Sequence, residues 1–279
     1  MDIRTQDLSI ADQLTYGVRM LEITVRLENG KLEIYSSGIA LNKTLFNALV
    51  EIEQFLHFHS RELVILVINY DDHYFLDWLD GILTKLDLCM AIDEYNHVIA
   101  GWRLVKNWDL DETIDKYRGK ILLATNDFLF EDCIHSIRHE CLTSKDIVLS
   151  DTYAFSDTIS QKWNRYFKLN QNCYFFTSFC FFYDMSFDVL DQYAYVKKGY
   201  NRRDVTAFGY YDNVENKCYK PLNYIFINND IPDCIFKLNI FNFEFITMEI
   251  IDHVDKMNAD VRHSHSINIH LQHSYVYNL

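Results

Sequence analysis

The stretch that decides the fold is 17–70, GVRMLEITVRLENGKLEIYSSGIALNKTLFNALVEIEQFLHFHSRELVILVINY. It reads as strand, turn, strand, helix, strand. GVRMLEITVR, 17–26, is the first strand; Glu28-Asn29-Gly30 makes the turn; LEIYS, 32–36, is the second strand. Leu45, Leu49, Ile52, Phe55 and Leu56 then recur at helical spacing, while Asn47, Glu51 and Glu53 fall mostly on another face. Thr44 or Asn42 is placed to cap that helix. ELVILVINY, 62–70, is almost wholly apolar and rich in β-branched residues, as a strand buried on both faces should be.

The same alternation continues outward. Residues 8–16 and 73–92 read as helices, and RGKILLATN, 118–126, and DIVLSDTY, 146–153, as buried strands. A helix over 156–168 precedes the aromatic run NCYFFTSFCFFYD, 172–184, which supplies one strand or two. Residues 187–198 read as helical, KLNIFNFEF, 237–245, as a late strand, and 247–257 as a helix. Strands alternating with amphipathic helices give an α/β fold with a parallel sheet or barrel, and periodicity does not separate those two.

Bulk properties narrow the function. A chain of 279 residues suits one large α/β domain, and 49% hydrophobic residues supply a sizeable core. A net charge of −14 disfavours broad nucleic-acid or anionic-lipid binding, because both need Lys and Arg to neutralise phosphates. No run of about 18 apolar residues is present, so no transmembrane segment is expected. The start, MDIRTQDLSI, has no apolar signal core, which points to the cytoplasm or nucleus. The cysteines Cys89, Cys133, Cys141, Cys173, Cys180, Cys218 and Cys234 are odd in number and contain no C-x-x-C pair. Reduced, mostly buried thiols are therefore expected rather than zinc or a disulfide framework. Abundant Phe, Tyr, Ile and Asn with scarce Gly and Pro suit an AT-rich genome, such as that of a large DNA virus, and hence a virus-particle or host-interaction component.

Several motifs together carry a resemblance. SIADQLTYGVRMLEITV, 9–25, holds a Q-L-x-x-G-[IV]-R stretch leading into a strand with an acidic residue. LEIYSSGIALNKTLFNALVEIEQFLHFHSRELVILVIN follows as a strand, a Gly-containing turn, a helix ending in Phe-Leu, a turn with Glu62 and a buried strand. RGKILLATN is a third segment, and FKLNIFNFEFITMEIIDHVDKMN a weaker fourth. In this order they resemble the catalytic X domain of phosphatidylinositol-specific phospholipase C, over roughly 9–258 and most closely in the first quarter.

The resemblance implies a distorted or incomplete TIM-type (β/α) barrel with the first strand missing, a barrel domain over 1–258 and a His-rich tail over 259–279. It also implies a reaction. One His takes the proton from an inositol hydroxyl that attacks phosphorus, a second His protonates the leaving oxygen, and Arg or calcium stabilises the phosphate. This chain departs from the pattern at every one of those positions. The family's S-x-P-G-T-H segment is not found ahead of the Q-L-x-x-G helix, and no His precedes His57. The second His is represented by the Ser36-Ser37-Gly38 stretch, with Ser36 in its place; the Arg falls at Thr24, two residues after Glu22. Asn69 stands where a basic residue follows the buried strand, and Asn242 where an Asp orients the first His. A serine hydroxyl does not act as an acid near neutrality as imidazolium does, and Thr offers no charged fork to phosphate.

The expectation is thus a catalytically degenerate module that binds proteins, including its own kind, with no metal and no cofactor. Glu22, Asp151 and Tyr153 would line a residual pocket. Lys197, Lys198, Arg202 and Arg203 would form a basic patch for a phosphoinositide head group or an acidic partner. The enzymatic alternative is a phosphodiesterase with a rearranged site. A metal-dependent version would draw on Glu22, Glu33 and the Asp71-Asp72-His73 cluster, but strand-end carboxylates are commonly solvated. His57 and His59, at a helix end, are expected to complement its dipole rather than bind metal.

Overall fold

The structure, a computed structural model, describes residues 8–36, 38–71, 78–98, 103–109, 112–137, 141–143, 180–184, 210–212, 217–219, 227–228, 238–242, 247–264 and 275–276. Two compact units divide the chain, one spanning Leu8–His139 and the other holding Glu140–Asn278.

The first unit opens with helix α1, Ile10–Tyr16, capped by the Ser9 hydroxyl, which accepts from the Asp12 amide at 3.1 Å. Gly17 closes it in the left-handed region at φ 115°, so the following strand begins at Met20 rather than at 17 as the sequence pattern suggests. Strand β1, Met20–Glu28, turns at Asn29 and Gly30, both at positive φ, into antiparallel β2, Lys31–Ser36. Strand β3, Ile39–Thr44, adds antiparallel to β2. It was not anticipated, because its residues are exposed or half-exposed and carry no apolar alternation.

Helix α2, Leu45–Phe58, starts on a capping box in which Thr44 and Asn47 satisfy each other's backbone amides. Its Leu45, Leu49, Ile52, Phe55 and Leu56 are buried as the spacing predicts. Strand β4, Val64–Tyr70, then lies parallel to β1. Helix α3 runs Trp78–Val98, followed by the two-residue strand β5, Leu104–Val105. A 3-10 turn at Ile114–Tyr117 leads into β6, Ile121–Thr125, and β7, His135–Ser136, comes last. The sheet order is β3-β2-β1-β4-β6, with β5 and β7 both on the far edge of β6. The sheet is mixed, parallel from β1 onward and antiparallel through β2 and β3, and its described strands do not close into a ring.

In the second unit, β8 (Cys141–Thr143), β9 (Cys180–Asp184), β12 (Leu238–Asn242) and β13 (Tyr275–Val276) pair in parallel in the order β13-β12-β9-β8. Strands β10, Tyr210–Asp212, and β11, Lys217–Tyr219, form an antiparallel pair. Helix α4, Met248–Ser264, buries Ile250, Ile251 and Val254 and continues past Asn258. The strand expected over 237–245 is present at its described residues, Leu238–Asn242, and the helix expected over 247–257 runs Met248–Ser264. The elements expected over 146–153, 156–168 and 187–198 lie outside the described residues.

One expectation is corrected outright. Cys89 and Cys133 are joined in a disulfide, with Cα atoms 5.4 Å apart. They are separated by 44 positions and match no spacing motif, so only the folded juxtaposition of α3 with the turn after β6 reveals the pair.

Candidate functional site

Strand alternation sorts β1 into two faces. Leu21, Ile23 and Val25 are buried on one, and Glu22, Thr24 and Arg26 stand half-buried on the other. Register carries the second face across the sheet. Met20, Ile65 and Leu122 form an apolar row. Above it, toward the carboxyl ends, lie Glu22, Val67, Ala124 and His135, and above those Thr24 and Asn69. Ascending this face, side chains change from apolar filling to polar groups, the layering expected where a parallel sheet places a site.

The polar groups at that end bond to one another. Asn69 donates through Nδ2 to Glu22 Oε1 at 2.6 Å and accepts through Oδ1 from the Asn126 amide at 3.3 Å. This links the ends of β1, β4 and β6. Thr125 donates to the Ile68 carbonyl at 2.7 Å and accepts from the Asp127 amide at 2.9 Å. The Asp127 carboxylate takes the amides of Tyr70 at 3.0 Å and Leu129 at 2.9 Å. The bonds to backbone satisfy amide and carbonyl groups at the strand ends.

The cation on this face, Arg26, is engaged as well. Its guanidinium lies 3.0 Å from Asp71 Oδ2, donates to the Asp71 carbonyl at 2.8 Å, and stacks 4.5 Å over the Tyr35 ring. Asp71 is buried and receives this pair. The Tyr35 hydroxyl donates to Glu28, and that bond, followed by desolvation, raises the phenol's pKa above its ordinary 10.0. Arg26 therefore meets a counter-ion and an aromatic face.

The sequence-predicted positions separate into three groups. Glu22, Thr24 and Asn69 converge on one face. Ser36 ends β2 opposite Ile39 and, by alternation, shares the face of Leu32 and Ile34, while its neighbour Tyr35 is the residue in register with Thr24. Asp151, Tyr153, Lys197, Lys198, Arg202 and Arg203 lie outside the described residues. Asn242 ends β12 in register with Asp184 in the second unit. No group of three His, Cys, Asp or Glu placed to hold a metal occurs among the described residues. His59 Nδ1 bonds the Phe55 carbonyl at 2.9 Å and stacks on that ring at 4.3 Å, a helix-end role. Sequence reasoning missed Asn126, Asp127 and His135. The first two act through backbone contacts, and His135 reaches the Glu22 row through register, its ring 4.3 Å from that of Trp108.

Residues 1–125 match the PI-PLC X family model, which bears out the resemblance over that part of the chain. No curated protein sequence matches. Among solved structures, the phosphatidylinositol-specific phospholipase C from Listeria monocytogenes aligns over 90% of this chain and 82% of its own, at 17% identity and a TM-score of 0.54. A pentafluorophenylalanine-containing phosphatidylinositol-specific phospholipase C from Staphylococcus aureus aligns over 90% and 84%, at 11% identity and a TM-score of 0.50. At such identities the likeness is one of fold, the α/β barrel type of those enzymes. No helix among the described residues is long and apolar enough to cross a membrane.

Proposed function

We propose that this chain is a phospholipase C-like barrel that binds partners without cleaving phosphodiesters. The observation that carries the reading is the Asn69–Glu22 hydrogen bond at 2.6 Å, on the face where Thr24 stands in the family's Arg position. A catalytic face keeps donors and acceptors directed at where charge develops in the substrate. Here the carboxylate of Glu22 takes an amide, Asn69 completes itself on Asn126, and Arg26 is neutralised by Asp71. Replacing a general acid or base costs roughly 10²–10⁴-fold in rate, and Ser36 and Thr24 stand where the resemblance has a His and the Arg. The partners are proteins, other copies of the chain among them.

The test puts both properties in the same tubes. The full chain is incubated with phosphatidylinositol vesicles, with and without calcium or magnesium. Soluble inositol phosphates are measured in the supernatant, and self-association by sedimentation velocity over a range of concentrations. The reading expects no product above the buffer blank and mass that rises with concentration. Product that scales with protein overturns the noncatalytic part. A sharp monomer at all concentrations overturns self-association.

A further inference from the structure

The candidate site makes no use of the Cys89–Cys133 bond. Both residues are half-buried. The bond is not the only tie at this junction. Lys85, one turn earlier on α3, reaches Glu131 Oε1 at 3.3 Å and Asp132 Oδ2 at 3.2 Å, beside Cys133, and stands 5.6 Å over the Phe128 ring. These contacts fasten α3 to one short turn after β6. Internal bonds from Phe130 to Asp127 at 3.2 Å and from Cys133 to Phe130 at 3.0 Å make that turn a unit. Its first residues are Asn126 and Asp127, which hold Asn69, Tyr70 and Leu129.

We propose that Cys89–Cys133 is a reducible tie that controls the order of the turn after β6 and, through Asp127, the end of β4. The step is thiol–disulfide exchange. A dithiol reductant supplies two electrons and two protons, the Sγ–Sγ bond becomes two thiols, and the dithiol closes into its own cyclic disulfide. Oxidised glutathione drives the reverse. Without the covalent bond the Lys85 pairs between α3 and the turn are part-exposed, and such pairs hold little, while Leu129, Phe130 and Ile134 keep the turn's apolar side buried. This inference is independent of the proposed function.

The experiment uses the full chain, folded and without denaturant. Peptide mapping with iodoacetamide should find Cys89 and Cys133 linked after oxidised glutathione and both alkylated after dithiothreitol. Hydrogen exchange at the Tyr70 and Leu129 amides should then accelerate by at least about tenfold. The Ile65 amide, bonded to the Arg19 carbonyl at 2.7 Å, should not change. Cys89→Ser and Cys133→Ser should each reproduce the reduced pattern; if neither folds, reduced wild type carries the comparison. Four results overturn the proposal: free thiols in the oxidised sample, a bond that resists dithiothreitol until denaturant is added, unchanged exchange at Tyr70 and Leu129, or acceleration that includes Ile65.

Discussion

The two faces of β1 differ in what holds them. Leu21, Ile23 and Val25 meet Leu66 and Ile68 of β4 across the register on a wholly buried face, where area removed from water is the driving force. Glu22, Thr24 and Arg26 occupy the other face, whose carboxyl-terminal end is held by hydrogen bonds and an ion pair. The first face is what a barrel of this type needs to fold. The second is where such a barrel performs chemistry, and here its polar groups are spent on one another. Under the proposed function, a retained apolar face beside a self-satisfied polar one is a fold kept without its reaction.

Cutting into the apolar face should give the largest effect. Ile23 is 1% exposed, so Ile23→Ala should destabilise the Leu8–His139 unit by about 2–5 kcal/mol, measured by urea denaturation. A loss below 1 kcal/mol would mean the face is not close-packed. The polar end comes next. Asn69→Leu strips the amide from Glu22 and the acceptor from Asn126, and should cost about 1–3 kcal/mol by the same measurement. Were that substitution stabilising, the polar end would be a strained, functional arrangement.

Between the two faces lies local chain geometry. Thr44→Ala removes the capping box of α2 and should cost roughly 1 kcal/mol. The smallest effect is a pH dependence in the second unit. Burial first, then Lys256, lowers the pKa of His253 from 6.5, so the unfolded chain takes up the proton more readily than the folded one. Stability should fall as pH drops through 6.5, with the loss complete below the folded value. His253→Gln should flatten the thermal unfolding profile between pH 8 and 5; an unchanged slope would assign the dependence to other groups.

Much of the first unit was legible in sequence because its signals are local. The apolar spacing of α2, the Asn29-Gly30 turn and the continuous run of β4 each declare themselves within a few residues. Strand β3 did not, since it is paired without being buried, and backbone pairing leaves no apolar period. The candidate site was legible at Glu22, Thr24 and Asn69, where the family motif fixes the register. It was not legible at Arg26–Asp71 or at Asn69–Asn126, which depend on strands meeting across 45 and 57 positions. The disulfide failed for the same reason, and an odd cysteine count pointed away from it.

The central claim, that this polar face no longer performs phosphodiester chemistry, rests most directly on one comparison. Phosphatidylinositol turnover by the wild-type chain should be measured beside Glu22→Gln, with both proteins shown to be folded by circular dichroism. The account predicts that both rates equal the protein-free blank. Turnover by the wild type that disappears in folded Glu22→Gln would contradict it.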